Sequence, residues 1–172
     1  MEHPLTHLDH RGHARMVDVT DKAPTVRSAT AGGRVVTSAE TVALLRDGAV
    51  PKGDVLAVAR IAGIQAAKKT PELLPLAHVI GVHGAVVDLE ITDSGVDITA
   101  TVRTADRTGV EMEALTSVTV AALSVIDMVK GRDRSAHIAD VRLLEKRGGR
   151  SGTWTRDDTE ATGGASTRTV QQ

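Results

Sequence analysis

The sequence predicts a layered α+β sandwich, with helices packed on one face of a mainly antiparallel sheet. Two patterns and their order carry this reading. Val87, Leu89 and Ile91 alternate with Asp88 and Glu90, and Val96, Ile98, Ala100 and Val102 alternate with Asp97, Thr99, Thr101 and Arg103. With Asp93-Ser94-Gly95 between the runs, that period of two describes a hairpin with one wet face. Residues 111–129 instead place Leu115, Val118, Ala122, Val125 and Met128 or Val129 on one stripe, the period of a long helix. The full order is two short strands, two helices, a hairpin, a helix and a strand. That order suits helices gathered on one side of a sheet.

The remaining elements follow from local chemistry. Residues 1–15 are histidine-rich without a period and read as a flexible arm. Residues 16–19 (Met-Val-Asp-Val) suggest a short strand, and residues 25–37 a second one, broken at Gly32-Gly33. Thr37 with Glu40 fits a capping box for a short helix carrying Val42 and Leu45 and closed by Gly48. Asp54 can cap a second helix, Ala- and Gly-rich for close packing, which Thr70-Pro71 is expected to end near Lys69. Residues 138–144 give a last strand. From Thr155 onward the Thr, Gly, Ser and Gln content predicts a disordered tail, leaving residues 16–154 as one domain.

Composition sets limits. The chain has 172 residues, 41% hydrophobic and 25% charged, as expected of one soluble globular domain. No cysteine is present, which excludes disulfides, thiolate metal sites and a cysteine nucleophile and suits the cytoplasm. The net charge of −1 supplies no general field for nucleic acid or anionic membrane, so anion binding must come from a local basic cluster. No apolar run is expected to be long enough for a membrane span. With one tryptophan and no phenylalanine or tyrosine, the core must be built from Val, Ala, Leu and Ile, which slightly favours an oligomer.

Five constellations could carry chemistry. Asp127 and Lys130, three apart on a helix, make a carboxylate–ammonium pair suited to proton transfer; the same spacing describes a solvated ion pair worth at most about 1 kcal/mol. Lys52 lies just before a helix N-terminus, where anions bind, or is a plain turn lysine. His78, after Pro75-Leu76-Ala77, can titrate near neutrality or hold phosphate. His78 and His83 are five apart, which matches no common metal spacing, so no metal site is expected. Glu111 and Glu113 either favour the helix dipole or accept a guanine-like edge. Lys146-Arg147-Gly148-Gly149-Arg150-Ser151-Gly152 pairs flexible backbone with cations, as a polyphosphate needs, though it also describes a basic exit to the tail. From Glu113 to Asp127 is 14 residues, about 21 Å of helix, so both can serve one site only with a long ligand or a second subunit.

Read in order, several segments resemble the cyclic pyranopterin monophosphate synthase family of molybdenum cofactor biosynthesis. They are Leu5-Thr6-His7, Met16-Val17-Asp18-Val19, Lys52-Gly53-Asp54-Val55, Ala59-Arg60-Ile61-Ala62-Gly63-Ile64, Ala66-Ala67-Lys68, Leu74-Pro75-Leu76, Thr108-Gly109-Val110-Glu111-Met112-Glu113-Ala114-Leu115-Thr116 and Gly148-Gly149-Arg150-Ser151-Gly152. The resemblance spans about residues 5–154. It implies a ferredoxin-like fold and a homohexamer, a trimer of dimers, with active sites between subunits. It also implies conversion of 3′,8-cyclo-7,8-dihydro-GTP to cyclic pyranopterin monophosphate and pyrophosphate, with no cofactor beyond Mg2+ that a triphosphate can carry. By the same resemblance Asp127, Lys130 and Lys52 are catalytic, and Leu76, Ala77, His78, Met112, Glu113, Glu111, Asp18, Arg27 and Lys146 line the substrate pocket. The family's usual Pro-Leu-Cys-His-Pro and Tyr-Asp-Met-Cys-Lys are altered here, at Ala77 and Val79 and at Ile126 and Val129. The competing expectation is a divergent paralogue that binds a guanine nucleotide with little turnover.

Overall fold

The computed structural model describes residues 8–9, 11–150 and 152–157. Most of the expected arm, Leu5-Thr6-His7 included, Ser151 of the basic loop, and residues 158–172 of the expected tail lie outside the described residues. The elements run β1 (Thr25–Val36), α1 (Ala39–Arg46), α2 (Val55–Leu73), β2 (Gly84–Ile91), β3 (Gly95–Asp106), α3 (Glu111–Val129), β4 (His137–Arg147) and β5 (Trp154–Thr155). The strands form one five-stranded sheet ordered β2-β3-β1-β4-β5, every neighbouring pair antiparallel. Strand, helices, hairpin, helix, strand with β1 between β3 and β4 is the split βαβ arrangement of ferredoxin-like sandwiches. The α+β layering expected from the sequence is the observed one.

Helix α3 is the centre of the packing. It lies over β1, β3 and β4 and against α2, which also covers β2. Its composition is apolar enough, over enough residues, to cross a membrane, contrary to the sequence reading. Here Ala114, Val118, Ala121, Ala122, Val125 and Val129 are all at most 1% exposed and share one core cluster with Ala29, Ala31, Val35, Ile98, Ala100 and Val102 of the sheet. Where α2 meets α3, Ser117 Oγ donates to the Gly63 carbonyl at 2.9 Å. A Cβ on Gly63 would stand 3.0 Å from the Ser117 carbonyl oxygen and 3.2 Å from Ala121 Cβ. The small-residue stripe of α2 is therefore a close helix crossing.

Five local expectations need correction. Residues 16–19 form no strand: His78 bonds the Val17 carbonyl, the Val19 carbonyl accepts from Lys22 N–H in a turn, and Asp18 Oδ1 accepts from Thr20 N–H and Oγ1 within that turn. Gly32-Gly33 do not break β1. A Cβ at Gly33 would come 2.8 Å from Val118 and 3.0 Å from Val141, so the pair marks close approach beside a bulge in the β1–β4 register. The cap of α1 is Ser38, which accepts from Thr41 N–H, while Thr37 donates its hydroxyl to Asp133 at 2.7 Å. Pro71 sits inside α2, which runs on to Leu73. The N–H it lacks would have met the Ala67 carbonyl, and Thr70 Oγ1 reaches that oxygen at 3.3 Å instead. Thr155, assigned to the tail, pairs with Glu145 in β5.

Gly63→Val should force α2 and α3 apart and cost about 3 kcal/mol, near the upper end for overpacking. Chemical denaturation of the two proteins checks this; an unchanged midpoint would contradict the close crossing.

Candidate active site

The predicted residues gather at the two ends of α3. At its N-terminal end Leu76, Ala77, His78, Glu111, Met112 and Glu113 line a hollow of about 410 Å³. Two loops and the first helical turn build it. Pro75-Leu76-Ala77 leads the chain off α2, and the irregular segment through Val17, Val19 and Lys22 closes the other wall. His78 joins the two. Its Nε2 lies 2.6 Å from the Val17 carbonyl oxygen, which can only accept, so Nε2 carries a proton and Nδ1 is the ring nitrogen left for another partner.

Glu113 is only 3% exposed. Burial pushes its carboxyl above the ordinary range and the charge of Glu111 adds to this, against its own backbone hydrogen bond and the nearby His78. Glu111 is partly exposed and takes Lys146 Nζ at 3.4 Å. Lys146 reaches it from β4, where it stands opposite Ala29.

Arg27 and Asp18 sit beside this hollow rather than in its lining. Asp18 spends one carboxylate oxygen on Thr20, whose hydroxyl and N–H hold its pKa below the ordinary value. Arg27 donates from Nε to the Asp106 carbonyl at 3.1 Å and lines an adjoining hollow of about 400 Å³ with Lys22, Gly149 and Arg150. Gly149 has φ +73°, and a Cβ there would press to 2.5 Å from the Arg27 guanidinium. The glycine pair of the basic loop thus lets Arg150 come to the same hollow as Arg27. Lys22 lines both hollows, and it is a residue that no motif or spacing had marked. Thr108 and Gly109, also in the lining, lay within the segment that carries the resemblance.

At the C-terminal end of α3 the other three residues meet. Lys130 Nζ donates to Asp127 Oδ1 at 2.6 Å. Lys52 Nζ reaches across 75 residues of sequence to Asp127 Oδ2 at 3.0 Å and to the Asp127 carbonyl at 2.7 Å. The lysine expected to face the start of α2 faces the negative end of α3 instead. Hydrogen bonds from Lys130 and then Lys52, with both positive charges, hold the Asp127 carboxyl below the usual carboxylate range. All three side chains are about half exposed. The structure therefore makes two clusters, one anchored on Glu113 and His78 and one on Asp127, and a single chain does not bring them together.

A family profile described as the MoaC family matches residues 16–149. The cyclic pyranopterin monophosphate synthase of Streptomyces coelicolor is 60% identical over 152 residues, 88% of this chain and 89% of that protein. That of a Nocardioides species is 59% identical over 155 residues, covering 88% and 95% of the two chains. The cyclic pyranopterin monophosphate synthase 2 of Mycobacterium tuberculosis is 57% identical over 152 residues, covering 88% and 91%.

Because its folded pKa is raised, Glu113 favours folding below its unfolded pKa, and that contribution is lost as pH rises through the folded value. Glu113→Gln should therefore raise the melting temperature by about 2–4 °C at pH 7.5, with the gain shrinking toward pH 4. Thermal denaturation at both pH values checks it; a lower melting temperature at pH 7.5 would contradict the burial argument.

Proposed function

The chain belongs to the MoaC family, and from that membership we propose that it is a cyclic pyranopterin monophosphate synthase whose site is completed between two copies of the chain. It is a lyase acting in the cytoplasm on 3′,8-cyclo-7,8-dihydro-GTP and releasing pyrophosphate. The observation that carries the catalytic assignment is the convergence of Lys52 and Lys130 on one carboxylate. The homohexamer, a trimer of dimers, fits the same reasoning. The Asp127 cluster of one subunit faces the Glu113 hollow of another, which a helix about 21 Å long between them forbids within one chain.

The two carboxylates are tuned in opposite senses, and that divides the labour. Asp127, held ionised by two lysines, is a weak base far from the working pH. Its service is to orient Lys52 and Lys130, which can turn to the triphosphate and offset its charge and that of the departing pyrophosphate. Once the lysines turn away, Asp127 loses the partners that depressed its pKa and becomes better able to take a proton. Glu113 is pushed toward neutrality by burial and stands with His78, whose Nδ1 is not taken by the Val17 contact. Proton relay during purine opening and pterin closure suits this pair, each positioned acid or base giving about 10²–10⁴-fold. Lys22, Arg27 and Arg150 offer cations beside it for phosphate oxygens.

Pyrophosphate release from the cyclised substrate tests the reading. Lys52→Ala and Lys130→Ala should each lower kcat by about 10²-fold or more. Substrate binding without any release by the wild type would favour the nucleotide-binding paralogue instead. The shared site has its own test. Lys130→Ala and His78→Ala chains, each inactive alone, should recover activity at about a quarter of sites when unfolded together and reassembled. A mixture that stays inactive would overturn the intersubunit site.

A further inference from the structure

Asp133 is 8% exposed, yet nothing in the mechanism above employs it. Its carboxylate is fully engaged. Oδ2 accepts from Thr37 Oγ1 at 2.7 Å and Ser38 N–H at 2.8 Å, and Oδ1 accepts from Ser135 N–H at 2.8 Å and Ser135 Oγ at 2.6 Å. These four bonds join the end of β1 and the cap of α1 to the turn that leaves α3. That turn is wound off the helix itself: the N–H groups of Arg132 and Asp133 both return to the Val129 carbonyl, at 2.8 and 3.1 Å.

We propose that Asp133 is a positioning residue that sets the Lys52–Asp127–Lys130 cluster, an inference that rests on the catalytic reading of that cluster. Both arms of the cluster start from the bonds it makes. On one side Lys130 is the last helical cap of α3, three residues before Asp133. On the other, Ser38 begins α1, whose eight residues lead into the short loop bearing Lys52. Fixing the start of α1 against the exit of α3 therefore fixes how far the Lys52 ammonium must reach to Asp127. Hydrogen bonds to a carboxylate are about twice as strong as neutral ones, which suits a fixed join better than a hinge. The four donors also hold the Asp133 carboxyl far below its ordinary pKa, so it stays a charged acceptor throughout the working pH range.

Asp133→Asn keeps the shape but turns an amide donor toward Ser38 N–H or Ser135 N–H. With the full homo-oligomer, kcat per folded enzyme should fall about tenfold while KM stays within about twofold, since the other end of α3 is untouched. The acid limb of the kcat profile should move up as Asp127 loses Lys52, one of the two ammonium groups that hold its carboxyl low. A clamp serving stability alone would change the folded fraction and leave that limb in place. Thr37→Val, which removes one donor and folds more safely, should shift the limb the same way, and Thr37→Ser should restore it. In crystals of D133N, Lys52 Nζ should lie beyond hydrogen-bond reach of Asp127, against 3.0 Å in the parent. An unmoved acid limb in both variants, with Lys52 still on Asp127, would overturn the proposal. Full activity in K52A would sink the catalytic reading instead, and the Lys52–Asp127 distance in D133N would still decide the positioning.

Discussion

Helix α3 cannot bend to bring its ends together, and the function has to be arranged around that fact. Every turn between Glu113 and Asp127 contributes a residue with almost no exposure: Ala114, Ser117, Val118, Ala121, Ala122 and Val125. Kinking the helix would open these contacts to water, at about 25 cal/mol for each Å² of apolar surface exposed. The burial that makes the fold thus sets the separation of the two clusters. Small residues allow the arrangement, since Gly63 and Ser117 let α2 lie close enough to seal the side of α3 that the sheet does not cover.

The same helix gives its two ends different electrostatics. At the N-terminus, α3 lacks a side-chain cap, and Glu111 and Glu113 stand in the first turn. A helix start favours negative charge there, but Glu113 is buried while Glu111 can reach Lys146, so burial overrides the favourable dipole for one carboxylate only. At the C-terminus the free carbonyls attract cations, and Lys52 answers both the Asp127 carbonyl and its carboxylate. Opposite pKa shifts along one helix are a consequence of burial at one end and two ammonium groups at the other.

How far the sequence could be read depended on the range of the forces involved. The span of α3 and the β2–β3 hairpin were legible because a periodic apolar pattern needs only one buried face. The errors came where a distant partner decides the outcome. Gly32-Gly33 look like a break until Val118 and Val141 are seen above them, and Pro71 looks like a stop until Thr70 replaces the missing donor. Thr37 and Ser38 are both good caps, and Asp133, 96 residues from Thr37, claims that hydroxyl. The site divides in the same way. Asp127 and Lys130 announced themselves by spacing, whereas the reach of Lys52 to Asp127 crosses 75 residues and has no sequence signature. Lys22 in the hollow lining and the burial of Glu113 were equally invisible, being products of the irregular 16–22 segment and of packing.

That distinction bears on three of the four positions where this chain departs from the family's usual residues. Val79 is 90% exposed, so it touches little within the chain, and His78 beside it is oriented by the Val17 carbonyl. Val129 is 1% exposed and belongs to the core, where an aliphatic side chain serves as well as a thiol. Ile126 packs against the core from a partly buried position, and its carbonyl accepts the Lys130 N–H at 2.8 Å. The His78 ring and the Lys130 main chain are therefore held by main-chain carbonyls, which any residue provides. Side-chain identity can vary at these positions while the backbone path, held by the core and by the hydrogen bonds of Asp133, stays the same.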